Sequence, residues 1–235
     1  DLLLDWEKQG EEGPLAHLEG LSLRMGPDKA RAWLMRCAEA RDAWFGPGGW
    51  QEPLGERVQM LLGIPAGAGP QWAAQMCSDA VFDRAALNAC METCVAWGTA
   101  SAIKIVEVVG DWLAGDAAAR VEDCGNLRKA LFTAEDKPRW LKNLEKLHPG
   151  YADDAADVLA SIMAVEERAR LLALADLLIP ALTVGRRFAI AWDEAKEREG
   201  LVDFDDLIRR AAGLLAQAGL GEWIRYKLDR RFDHI

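Results

Sequence analysis

The sequence predicts an all-α protein of many helices. Apolar residues recur three and four positions apart along most of the chain, and Gly and Pro clusters cut it into helix-length pieces. The longest periodic stretch carries Val158, Ile162, Val165, Ala169 and Leu172 on one face, and predicts a helix from Ala152 to Leu178, about 40 Å long.

Taken in order, Leu2 to Glu12 reads as a short helical tail ended by Gly13-Pro14, followed by Leu15 to Gly20. Pro27-Asp28-Lys29 opens a helix with Ala30, Trp33, Leu34 and Cys37 on one face, closing at Gly46-Pro47-Gly48-Gly49. At that spacing, Trp33 and Trp44 read as core. Glu52 to Leu62 is a further short helix, and Gly63 to Pro70 is a turn. The turn is glycine-rich but lacks the Gly-Lys-Ser/Thr ending with which a phosphate-binding loop grips phosphate and magnesium, because Gly69 precedes Pro70 and Gln71.

Gln71 to Asn88 is expected to be helical through Trp72, Met76, Ala80 and Ala86, with Ala89 to Ala96 continuing it. After Gly98, Ser101 stands where a cap is needed for a helix through Ile103, Val106, Val109 and Leu113. The β-branched Ile105, Val106, Val108 and Val109 make a strand the competing reading, and the sustained spacing favours helix. Asp116 to Cys124 is another short helix. Leu131 to Arg139 loses helical periodicity, and Thr133 to Pro138 reads as a turn of a small hairpin. Pro180 is expected to kink or end the long helix, with a second run from Leu182 to Arg198 through Phe188, Ala191, Trp192 and Ala195. No internal repeat or low-complexity tract interrupts this plan.

Hydrophobic residues at 51% and charged residues at 28% place the chain among globular proteins. No apolar run approaches the roughly 20 residues a membrane span requires, so no membrane partner is expected. The chain opens on Asp1 without a basic, apolar leader, which points to an internal piece of a larger cytoplasmic protein. The five cysteines, Cys37, Cys77, Cys90, Cys94 and Cys124, are odd in number and irregular in spacing, and read as reduced, buried small hydrophobes. Cys90 and Cys94 share a helix face, and with Cys77 they form a weaker alternative, a zinc site without an evident fourth ligand. His17, His148 and His234 are scattered, and no nucleophile–base pair stands out.

The net charge of −10 excludes a protein whose whole surface grips nucleic acid. Charge is nonetheless segregated. Residues 128–146 hold the cations Arg128, Lys129, Lys137, Arg139, Lys142 and Lys146 against Glu135, Asp136 and Glu145, with Trp140 in their midst. Cations interleaved with an aromatic suit phosphate and sugar contacts that position DNA without reading its sequence; the alternative is a solvated helix face. A second possible role is protein recognition, with Trp50, Trp72 or Trp97 lining a partner groove.

The densest signal lies at Gly200 to Ile208. Gly200 breaks a charged helix, Asp203 stands where a new helix needs a cap, and Asp205 and Asp206 fall in its first turn, where the helix dipole favours negative charge. Three carboxylates this close also raise a divalent-metal or acid–base reading, but metal cages draw oxygens from separated positions.

Asp203-Phe204-Asp205-Asp206-Leu207-Ile208, then an amphipathic helix, then Trp223-Ile224, Tyr226-Lys227 and Phe232-Asp233-His234-Ile235, resembles the UvrD-like superfamily 1 DNA helicases. Phe132-Thr133 with Pro138-Arg139, Pro14-Leu15-Ala16, Gly98-Thr99 with Lys104, and the tryptophan-rich helices resemble the AddA type among them. The resemblance implies a segment between the Walker A and Walker B motifs of a bacterial double-strand break repair helicase-nuclease. Residues 1–199 would form an accessory 1B-like domain that contacts duplex DNA weakly and without sequence preference. Residues 200–235 would be a junction returning to motor domain 1A, with an AddB-type subunit as a further partner. ATP and magnesium would belong to the parent enzyme; this stretch, without either nucleotide motif, would not hydrolyse ATP alone and would hold no cofactor.

Overall fold

A computed structural model describes residues 12–217 and 219–229. The expected tail, apart from Glu12, and the motif residues Phe232 to Ile235 lie outside them. The described residues form helices α1 (Glu12–Met25), α2 (Pro27–Glu39), α3 (Arg41–Phe45), α4 (Leu54–Leu61), α5 (Pro70–Ala74), α6 (Arg84–Trp97), α7 (Ala100–Ala114), α8 (Ala117–Leu131), α9 (Leu141–Leu144), α10 (Tyr151–Glu199), α11 (Phe204–Leu215) and α12 (Leu220–Asp229). Among these residues there is no strand, and the expected hairpin reduces to one isolated bridge between Phe132 and Pro138. The chain is all-α, and none of the described helices is long and apolar enough to cross a membrane.

Packing divides the chain into two compact units, residues 55–179 and residues 1–54 with 180–235. The expected boundary at Gly200 is a helix end within the second of these.

In the unit of residues 55–179, the buried face of α7 is Ala102, Ile105, Val109 and Trp112, which meets Leu87 and Cys90 of α6, Cys124 and Leu127 of α8, and Val158, Ile162 and Val165 of α10 in one core. The Phe82 and Trp112 rings lie 4.7 Å apart within it. Arg120 closes the α7–α8 turn by donating to the carbonyls of Leu113 (2.6 Å) and Trp112 (3.2 Å). Four cysteines sit in this core, and burial pushes the Cys90 and Cys124 thiols up to about 12. They are the small hydrophobes the sequence suggested, and among the described residues no group of three His, Cys, Asp or Glu side chains is placed to hold a metal.

The other unit packs α1, α2 and α3 against the second part of α10. Leu34 meets Val184, Leu21 and Ala30 meet Ala181, and Cys37 and Trp44 meet Ala189. Trp33 touches all three groups, and Trp44 is buried with its Nε1 donating to the Cys37 carbonyl at 2.8 Å. Both tryptophans are therefore structural. Gly185 lets the helices approach: a Cβ there would lie 2.6 Å from Cys37 Sγ.

Several boundaries differ from expectation. The helix α1 runs through Gly13-Pro14, because proline is tolerated in a first turn whose N–H groups have no partner anyway. Residues 71–88 are not one helix: α5 tightens into a 3₁₀ turn at Gln75–Cys77, and a new helix starts at Arg84, where Asp83 accepts from the Ala86 N–H. Thr99, not Ser101, caps α7, and Ile103 is exposed rather than core. Asp116 caps α8, which continues past Cys124 to Leu131. Helix α10 passes through Pro180 instead of ending there. Pro180 supplies no N–H to the Asp176 carbonyl, but Ala175, Ala181 and Val184 on either side are buried, and that burial offsets the lost bond.

Candidate nucleic-acid interface

The turn between α8 and α9 gathers the aromatic and several of the cations singled out in the sequence. Arg139 N–H donates to the Leu131 carbonyl at 2.9 Å, and Thr133 N–H to the Lys137 carbonyl at 2.9 Å, so the turn folds back on the end of α8. Thr133 Oγ1 accepts from the N–H groups of Glu135 and Lys137, each at 3.3 Å. Asp136 adopts a left-handed backbone, φ 59°, which a short polar side chain tolerates.

Arg128 holds that residue. Its Nε and Nη2 donate to Asp136 at 2.7 to 3.0 Å, and its Nη1 pairs with Glu166 on α10. Asp136, foremost, and Glu166 hold the guanidinium more firmly charged than an isolated arginine. Arg128, expected at the DNA surface, thus has its donors committed to two carboxylates within the fold.

Arg139 is committed only in part. Its Nε donates to the carbonyls of Lys129 (3.0 Å) and Phe132 (2.9 Å), and its guanidinium lies 5.9 Å from the centre of the Trp140 ring. Trp140 is left-handed at φ 52°, an uncommon conformation for a bulky residue, and the residue is 39% exposed. The Trp97 ring, at the end of α6, stands 5.8 Å away at a tilt of 50°.

Beside these rings a groove of about 510 Å³ runs between α7 and α8. Lys104, Lys129 and Arg139 supply its positive charge, Asp111 and Asp123 its negative charge, and Trp140 its aromatic wall. Lys104 and Lys129 are exposed and have no ion-pair partner among the described residues. Asn126 Nδ2 donates to Asp123 at 2.9 Å.

The structure therefore brings Lys129, Arg139 and Trp140 together and pairs Arg128 with Asp136 and Glu166. Lys137, Lys142 and Lys146 are exposed but do not line the groove. Sequence spacing missed Asp111, Asp123 and Asn126, which line the groove with Arg139 because α7 packs on α8 and the turn folds back on the end of α8. Lys104, named in the sequence only within the AddA-like pattern, is the one cation of helix α7 and joins the groove. Of the tryptophans suggested for a partner groove, only Trp97 stands beside this site. Trp50 packs on the Cys37–Trp44–Ala189 group, and Trp72 lies under the Arg168 guanidinium at 4.8 Å.

The acidic motif at Asp203 to Asp206 is built as a helix cap. Gly200, φ 68°, ends α10, and the Leu201 N–H returns to the Lys196 carbonyl at 2.8 Å. Asp203 accepts from Asp206 N–H at 2.8 Å, and Asp206 Oδ2 accepts from Asp203 N–H at 3.1 Å, a reciprocal box. Lys196 donates to both carboxylates at 2.7 and 2.8 Å. Those bonds hold the Asp206 carboxyl down to about 2 and lower that of Asp203; burial works against the Lys196 charge, and the two aspartates more than offset it. Asp205 stays in the first turn, and Phe204 is 76% exposed.

No family model, curated protein or solved structure matches this chain.

Proposed function

We propose that the chain is a helical, non-catalytic nucleic-acid-binding module. More particularly, it is the accessory DNA-guiding segment of an AddA-like ATP-dependent helicase-nuclease of the bacterial cytoplasm, acting in double-strand break repair. The observation that carries the reading is the convergence of Lys104, Lys129, Arg139 and Trp140 on one groove in a protein of net charge −10. Cations without carboxylate partners, gathered on one surface of an acidic protein, favour phosphate contact there and disfavour it elsewhere.

The turn cation Lys137, Lys142 of α9 and Lys146 just after that helix extend the positive surface for a duplex. Contact with DNA is weak and independent of sequence, because the cations meet the backbone. ATP and magnesium act in the motor domain, not on this segment. The exposed apolar face of α11, with Phe204, Leu207 and Ile208 each more than half exposed, supports the reading of residues 200–235 as a junction toward motor domain 1A; an AddB-type subunit is a further partner.

Titrating a fluorescent duplex with the purified chain tests the proposal. Binding weakened by Lys104→Glu and by Lys129→Glu is the expected result, and affinity unchanged by both removes the groove from the interface. Magnesium-dependent ATP turnover by this chain alone contradicts the non-catalytic assignment.

A further inference from the structure

Resting on the DNA reading above, we infer that the Trp140 end of the groove takes an unpaired nucleotide, so that a duplex with a single-stranded tail is held in preference to a blunt one. Trp140 occupies a backbone region that bulky residues rarely adopt, at φ 52°. Uncommon conformations of this kind persist where the surroundings over-determine them, and cluster at binding sites. Here the surroundings are identifiable. Arg139 is tied to Leu131, Lys129 and Phe132 on one side, and the Trp140 carbonyl accepts from Asn143 and Leu144 N–H groups at 2.9 and 3.2 Å on the other.

That conformation does not place the ring in the core. The residue remains 39% exposed, its ring braced by Trp97 and by the Arg139 guanidinium. A fixed, half-exposed indole offers a π-face on which any base can stack. Bases inside a duplex have both faces covered by their neighbours, so the occupant is an unpaired one.

The charges of the groove agree. A continuous phosphate track would be uniformly cationic, whereas Asp111 and Asp123 share this lining with Lys104, Lys129 and Arg139. Carboxylates repel phosphate but accept from the amino groups of exposed bases. The groove thus has cations for the backbone, a ring for a base face, and acceptors for a base edge. Lys104, Lys129 and Arg139 at the groove, extended by the exposed Lys137, Lys142 and Lys146 outside it, carry the backbone of the adjoining duplex.

The test compares a short blunt duplex with the same duplex carrying a single-stranded tail of a few nucleotides, by fluorescence anisotropy, and uses 2-aminopurine in the tail as a stacking reporter. The tail is expected to improve affinity about tenfold. Trp140→Ala should cost the tailed duplex about tenfold more affinity than the blunt one, and Trp140→Phe should retain most of the gain. Quenching of the 2-aminopurine by the wild-type protein supports the inference without any variant. Equal affinity for the two DNAs, or an equal loss for both on Trp140→Ala, overturns it and leaves the DNA reading standing. Failure of both DNAs to bind overturns the DNA reading, and this inference with it.

Discussion

Arg128 grips Asp136 with three hydrogen bonds, through Nε at 3.0 Å and Nη2 at 2.7 and 2.9 Å, and so fixes a left-handed residue in the turn that leads to Arg139 and Trp140. The same guanidinium pairs with Glu166, which ties the turn to α10. Arg128 acts on the site by positioning, since its donors are already engaged.

Removing that grip should cost stability before it costs charge contacts. Arg128→Ala is expected to lower unfolding free energy by about 1 kcal/mol, the scale of charge-assisted bonds discounted for their partial exposure. The salt dependence of DNA affinity should keep its wild-type slope, because no phosphate contact is lost. Chemical denaturation and a salt titration of the variant check the two halves.

Gly185 faces a different constraint. Helix propensity alone makes Gly185→Ala stabilising by about 1 kcal/mol. The new methyl would stand 2.6 Å from Cys37 Sγ and 3.4 Å from its Cβ, and overpacking of a tight helix contact costs about 1–3 kcal/mol. The substitution should therefore destabilise in the wild-type background and become neutral or stabilising with Cys37→Ala. A double-mutant cycle in urea measures the difference.

Acid should loosen the junction of α10 and α11. The Asp206 carboxyl is held at about 2 against an ordinary 3.8 by Lys196, so it binds a proton less readily folded than unfolded. Its contribution is complete above pH 3.8 and is lost as pH falls through about 2. Stability of the wild-type chain should decline over that window by ~1–2 kcal/mol more than that of Asp206→Asn. Equal declines for the two proteins would show that the Lys196 contact contributes nothing.

The fold was legible where one periodicity ran unopposed. The β-branched run at Ile105 to Val109 proved helical because Ala102, Ile105, Val109 and Trp112 supply a full buried stripe. Boundaries failed where tertiary packing outweighed a local signal: Pro180 ought to stop a helix, yet the buried residues flanking it keep α10 continuous. The cap at Asp203 was readable because capping boxes are local in sequence. That Lys196 neutralises it was not, since the fold-back at Gly200 brings the lysine close. For the interface, residues adjacent in sequence were found, and those contributed by α7 and the middle of α8 required the packing of the two helices and the fold-back of the turn.

The salt dependence of duplex binding tests the assignment of this surface to DNA most directly. Wild-type affinity should fall linearly on a log–log plot with a slope of about −3 to −5, through release of counterions. Charge reversal at Lys137, Arg139 and Lys142 together should flatten the slope by roughly one unit per cation and weaken binding at low salt. A slope and affinity unchanged by those three reversals would contradict the assignment of this surface to DNA.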